Sequence, residues 1–171
     1  LPSNYYSLTP AEQLFVLVNE ERVERGLVPA VGMVAGLSGD AMQGAQALTD
    51  PPLGSTSDYE GVPVYGVIDA NWAEDYSIAA SVFDWMYADG WDGGATTNEA
   101  CTSPGAAGCW GHRENILRNL QGGAVVMGTA STPASNASGM FVSDAMVLGM
   151  VASASSVSYT YTWAQAVAQG A

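Results

Sequence analysis

Ala124-Val125-Val126-Met127-Gly128 and Ala145-Met146-Val147-Leu148-Gly149-Met150 read as two buried strands, separated by the Ser-, Pro- and Asn-rich turn Thr129 to Gly139. Apolar runs of this length between turn signals suit strands that bury both faces. Downstream, Val157, Tyr159, Tyr161 and Trp163 alternate with Ser158, Thr160 and Thr162, a period-two strand with one apolar face. Upstream the periodicity is helical. Thr9 caps, Pro10 suits the first helical position and Glu12 closes a capping box, while Gly26 supplies a stop, so the first helix is predicted from Pro10 to Arg25. A second helix opens at Ser38-Gly39-Asp40, carries Ala41, Ala45 and Leu48 on one face, and ends at Asp50-Pro51-Pro52. Gly54 to Glu60 reads as loop, and Val62, Val64, Val67 and Ile68 as a short strand made irregular by Pro63. A third helix fits Glu74 or Ser77 through Tyr87, with Ile78, Val82, Trp85 and Met86 on one face, and a fourth fits Arg113 to Leu120. Helices first and strands later predict an α+β fold, with helices packed on a mainly antiparallel sheet in one domain spanning residues 1–171.

Composition narrows the function classes. The 171 residues carry a formal net charge of −13, with four arginines and no lysine. Nucleic acids and anionic membranes need clustered cations, so neither is an expected partner. No apolar run approaches the ~20 residues needed to span a bilayer. Leu1-Pro2-Ser3-Asn4 lacks a signal-peptide pattern, which fits a mature secreted protein whose signal has been removed. A monomer is expected, with no cofactor.

Cys101 and Cys109 enclose Thr-Ser-Pro-Gly-Ala-Ala-Gly, a segment whose proline and glycines can turn tightly enough to join the two sulfurs. A disulfide is the expected reading and a pair of free thiols the alternative. A structural zinc site fits poorly, because Cys101, Cys109 and the single histidine, His112, fall short of four ligands. Asp89, Asp92, Asn98 and Glu99 crowd the long loop from Gly90 to Gly111 and offer hard oxygen ligands for calcium, but their spacing fails the EF-hand pattern. A solvated acidic loop is the preferred reading.

Three motifs in order carry a family resemblance. Leu17-Val18-Asn19-Glu20-Glu21-Arg22 followed by Gly26-Leu27-Val28-Pro29, then Trp85-Met86, then His112-Arg113-Glu114-Asn115-Ile116-Leu117, resemble the CAP superfamily in its bacterial secreted branch. That superfamily groups cysteine-rich secretory, antigen-five and pathogenesis-related proteins. The resemblance covers roughly residues 8–151 and leaves 153–171 as an extension. It implies a three-layer α/β/α sandwich with a mainly antiparallel central sheet. It also implies that Glu74 and His112 share a cleft, with Asp89 as the nearest second carboxylate. Two departures stand out. Ser103-Pro104-Gly105 is separated from His112 by Ala106 to Gly111, and a lone histidine cannot form the family's two-histidine metal site.

A carboxylate against an imidazole can act as base and acid or orient a ligand's hydroxyls. The alternative is that Glu74 and His112 only tie two helix starts together. Trp91 and Trp110, with Tyr76 and Arg113, are candidate ligand contacts, since aromatic rings stack on sugars; the two tryptophans could equally form the loop's own small core. Three functions follow in order of preference: a secreted domain binding an extracellular polysaccharide, cell-wall fragment or other small ligand; a glycan-cleaving hydrolase using Glu74 and His112; and an apolar-ligand or sterol carrier.

Overall fold

The computed structural model describes residues 1–52, 64, 68–88, 111–134, 139 and 141–171. Helix α1 (Pro10–Glu24) starts as its sequence requires: the Thr9 hydroxyl accepts from the Glu12 amide, the Glu12 carboxylate returns to the Thr9 amide, and Pro10 occupies the first turn. Gly26, at φ +71°, then reverses the chain. Strand β1 (Gly32–Met33) leads into α2 (Ala35–Ala47), and β2 (Asp69–Asp75) leads into α3 (Ile78–Phe83), which Ser77 caps. A wide π-helical turn, Asp84–Ala88, continues α3. Helix α4 (Gly111–Ile116), the long strands β3 (Ala124–Pro133) and β4 (Val142–Val151), the short β5 (Tyr161–Thr162) and α5 (Trp163–Val167) complete the fold.

Among the described residues, five strands form one sheet in the order β2-β4-β3-β1-β5. Among these strands β1 and β3 pair in parallel, at Met33 opposite Met127, and the other described neighbours are antiparallel. The molecule is therefore α+β with a mainly antiparallel sheet.

Helices cover both faces of that sheet. On one, Val125, Met127, Met146 and Leu148 pack with Leu14, Phe15 and Val18 of α1, Val82 of α3, Trp85 and Ile116. On the other, Val126, Ala130, Ala145, Val147 and Val151 meet Leu37, Ala41 and Ala45 of α2. Each fully buried Leu, Val, Met or Phe contributes about 1.5–3 kcal/mol. Burial of alternate residues on opposite sides explains why β3 and β4 read as unbroken apolar runs.

Several expectations need correction. Strand β2 was not foreseen, because Asp69, Asn71, Glu74 and Asp75 are poor strand formers. Pairing with β4, from Asp69 opposite Leu148 to Asp75 opposite Val142, overrides that preference. Glu74 thus lies on a strand rather than a helix. Of the apolar segment expected as a strand, Val64 and Ile68 are buried but outside any strand, while residues 62, 63 and 67 lie outside the described residues. Helix α2 begins at Ala35, three residues before Ser38, and Leu48 has left the helix in a left-handed conformation. Helix α4 starts at Gly111 and ends at Ile116, short of Leu120. Strand β3 runs through Thr129 to Pro133, residues read as turn. The alternation of Val157 to Trp163 yields only the two-residue β5, because Thr162 and Gln165 form a capping box that starts α5. Its apolar residues split: Val157 and Tyr159 join the α2-side core, Tyr161 and Trp163 the α1-side core. The segment after Ser153 supplies this outermost strand, and Ala166 of α5 is fully buried.

Candidate functional site

Glu74 and His112 come together. Glu74 projects from β2 opposite Ser143, and His112 is the second residue of α4. Both line an open groove of about 320 Å³ with Trp72, Ala73, Asp84, Trp85 and Ala88. The Oε1 atom of Glu74 is buried there without a hydrogen-bond partner. His112 Nε2 lies 3.7 Å from Asp50 Oδ1, at the end of α2, and the imidazole sits 6.5 Å from the Trp85 ring at a tilt of 54°.

The groove follows the outer edge of β2, which is the last strand of the sheet among the described residues. An open strand edge invites pairing with another chain, and side chains from the neighbouring helical segments cover this one. Asn115 Nδ2 donates to the Ala70 carbonyl at 3.0 Å, and Trp85 Nε1 to the Trp72 carbonyl at 3.1 Å. Asn71 cross-links the same elements, accepting from Asn115 Nδ2 at 2.8 Å and donating to the His112 carbonyl at 2.9 Å. Arg118 pairs with the buried Asp69. Trp72 Nε1 donates to Ser143 Oγ, which donates to the Ala45 carbonyl, so the groove wall is bolted to α2. These bonds place Glu74 and His112 on rigid supports.

Other expected site residues are placed differently. Tyr76 is exposed beyond the end of β2, 6.1 Å from the Phe141 ring, and does not line the groove. Arg113 turns away, donating to the Met86 carbonyl at 2.7 Å with its guanidinium 5.6 Å from the Tyr87 ring centroid. Glu114 is exposed. Asp89, Trp91, Asp92, Asn98, Glu99, Cys101, Cys109 and Trp110 lie outside the described residues. The sequence reading passed over Asp50 and Asp84, which bring carboxylates to or beside the groove, and Asn71. Asp50 had signalled only a helix end, and nothing local marked the other two. Among the described residues, no group of three or more His, Cys, Asp or Glu side chains is placed to hold a metal ion.

A second polar feature was also missed. Asp144 of β4 is fully buried, and Asp75 of β2 nearly so. Ser81 of α3 donates to Asp144 Oδ2 at 2.7 Å, and the Tyr76 amide to Asp75 Oδ1 at 2.6 Å. Burial pushes the Asp144 carboxyl above the ordinary aspartate value; hydrogen bonds from Ser131 and Ser81 oppose the rise, and the charge of Asp75 adds to it. Because the folded state holds this proton more tightly, the stabilising contribution is complete below the unfolded aspartate pKa and disappears as pH rises through the folded value. Asp144→Asn is therefore expected to raise Tm at pH 7 by roughly 2–4 °C, equivalent to about 1 kcal/mol, and to lose that advantage near pH 3. Thermal scans across this range check it, and an Asn variant destabilised equally at both pH values would contradict it.

Comparison with known proteins finds no matching family model, no match among curated proteins and no match among solved structures.

Proposed function

We propose that this chain is a CAP-like domain, secreted, whose groove binds an extracellular polysaccharide, cell-wall fragment or comparable polyhydroxylated ligand. The observation that carries the reading is the convergence of Glu74 and His112, from a strand and a helix far apart in sequence, on one open groove walled by Trp72 and Trp85. The Glu74 carboxylate and the His112 imidazole, both lining the groove, can accept from and donate to sugar hydroxyls, and the Trp72 indole beside them offers an apolar face. The motif order, together with cores on both sides of a mainly antiparallel sheet, supports the three-layer α/β/α form of the proposal.

The test is titration of the domain with cell-wall oligosaccharides while following tryptophan fluorescence. Glu74→Gln and His112→Ala are each expected to weaken binding about ten-fold, the loss of one charge-assisted hydrogen bond. Undiminished binding in both variants, or no response to any glycan, would overturn the proposal.

A hydrolase is the second reading, and Asp84 favours it by placing a second carboxylate beside Glu74 in the same groove. Glycoside cleavage generally needs two such groups. Turnover of a glycan that disappears in Glu74→Gln and falls sharply in Asp84→Asn would convert the binding site into an active site; turnover unaffected by either would eliminate this reading.

A further inference from the structure

A second groove, of about 430 Å³, lies on the α1 side of the sheet, between α1, α3 and the first residues of the chain. Tyr5, Tyr6 and Tyr76 line it, with Leu17, Ile78 and Val142 as apolar floor and wall. Tyr5 and Tyr6 meet edge-on at 5.2 Å, and Tyr76 meets Phe141 at 6.1 Å, so each ring is held by a neighbour. Tyr6 and Tyr76 are nevertheless 89% and 62% exposed, an unusual outlay of large aromatic surface.

The buried acids stand directly behind this groove. Asp75 precedes Tyr76 and fixes its amide, and it lies opposite Val142 in the sheet. Asp144 occupies the same sheet face, held by Ser81 of α3, and its charge reaches the phenol of Tyr5. Asp75 Oδ2 and Asp144 Oδ1 are both buried without a hydrogen-bond partner. Among the described residues no side-chain cation pairs with them, and the Leu1 ammonium, which also lines the groove, lies 3.9 Å from a Glu20 carboxylate oxygen. The chain has no lysine, and its four arginines engage other partners: Arg22 the Val28 and Ile116 carbonyls, Arg25 Glu21, Arg113 the Met86 carbonyl, and Arg118 Asp69.

We infer that the groove between α1 and α3 is a binding site for an organic cation of the alkylammonium or quaternary ammonium class. Aromatic faces attract such cations through the ring quadrupole, and a methylated ammonium gives up little hydration on entering. The two carboxylates supply negative potential through a low-dielectric wall without contacting the ligand. The apolar floor accommodates the ligand's hydrocarbon portion. Burial, then the neighbouring Tyr6 and the charge of Asp144, push the Tyr5 phenol up to about 12, so that ring stays neutral across physiological pH.

Calorimetric titration with choline and hexyltrimethylammonium, each against its neutral carbon isostere (3,3-dimethylbutan-1-ol for choline), tests the inference. Saturable binding of the cations is expected, with the isosteres at least ten-fold weaker. Tyr76→Ala and Asp75→Asn should each reduce cation affinity roughly ten-fold, and Asp75→Asn should leave binding of the isosteres unchanged, with circular dichroism confirming the fold. Equal affinity for cation and isostere would make this an apolar pocket and overturn the assignment. Absence of saturation at concentrations on the order of 10 mM would do the same. Glu74→Gln, in the other groove, should leave cation binding intact, so failure here and failure of the glycan proposal are separately visible.

Discussion

Gly128→Ala is expected to destabilise the protein by about 3–5 kcal/mol and to lower Tm by roughly 10 °C or more. Gly128 lies on the α2 face of β3, between Val126 and Ala130. A Cβ added there would sit 2.0 Å from the Leu37 carbonyl carbon, 2.3 Å from its oxygen and 2.3 Å from the Ser38 nitrogen. Those atoms are helix backbone, so no side-chain rotation relieves the overlap. Helix α2 would have to lift, and it is held along its length: Leu37, Ala41 and Ala45 are fully buried, and Ser143 Oγ donates to the Ala45 carbonyl at 2.7 Å. Lifting it also pulls on Trp72, which shares Ser143, and so disturbs the Glu74 groove. Ordinary overpacking costs about 1–3 kcal/mol, and an obstacle of helix backbone places this case above that range. Gly39→Ala is the matched control. Nothing lies within 4 Å of its Cβ, so it should stabilise α2 by up to about 1 kcal/mol. Urea denaturation of the two variants checks both signs; equal stability of Gly128→Ala and the parent chain would show that α2 is not in close backbone contact with β3.

The contrast between those glycines also explains what the sequence made readable. Helix α1 was legible almost to the residue because Thr9, Pro10, Glu12 and Gly26 act locally, each on its own turn of chain. Strands β3 and β4 were visible as apolar runs, but their full lengths were not: Thr129 to Pro133 have turn-like composition and become strand by pairing with Val142 to Met146. Strand β2 was hidden for the same reason in stronger form. Asp69 and Asn71 are accommodated by Arg118 and Asn115, both distant in sequence. The site followed this division. Glu74 stood out through the family resemblance and His112 as the single imidazole within a quoted motif, and they share a groove. Tyr76, two residues on from Glu74, lies past the end of β2 against Phe141, and Arg113, next to His112, turns to the Met86 carbonyl. Asp75 and Asp144 carried no local signal, because their proximity exists only once β2 and β4 are paired.

Arg22→Ala is expected to cost about 3–5 kcal/mol, and Arg22→Lys to lose more than half of that. Arg22 is 1% exposed, in the last turn of α1, within a stretch notable in the sequence only as part of a family-like motif. Its guanidinium holds three carbonyls from two separate segments. Nε and Nη2 donate to Val28 at 3.0 and 2.8 Å, and Nη1 donates to Ile116 and, at 3.1 Å, to Arg118. It thereby ties the return from α1 toward β1 to the end of α4, the helix that carries His112. Burial lowers its pKa, while the charge of Asp69 opposes the shift. Truncation to alanine opens a cavity and strands those carbonyls, each costing on the order of 1–3 kcal/mol if it finds no water. Lysine restores the charge, but a single ammonium cannot span the fork of donors that reaches Val28 and Ile116 together. Asn19, one turn earlier, makes an analogous clamp on the Ala30 amide and carbonyl, so α1 positions the next segment twice over. Arg25 is the comparison. Its ion pair with Glu21 is partly exposed, and Arg25→Ala should cost no more than about 1 kcal/mol. Because α4 is anchored through Arg22, Arg22→Lys should also weaken ligand binding in the Glu74–His112 groove at temperatures where the variant remains folded. Denaturation curves measure the first effect and fluorescence titration the second; normal stability in Arg22→Lys would show that charge alone, without the fork, holds α4 in place.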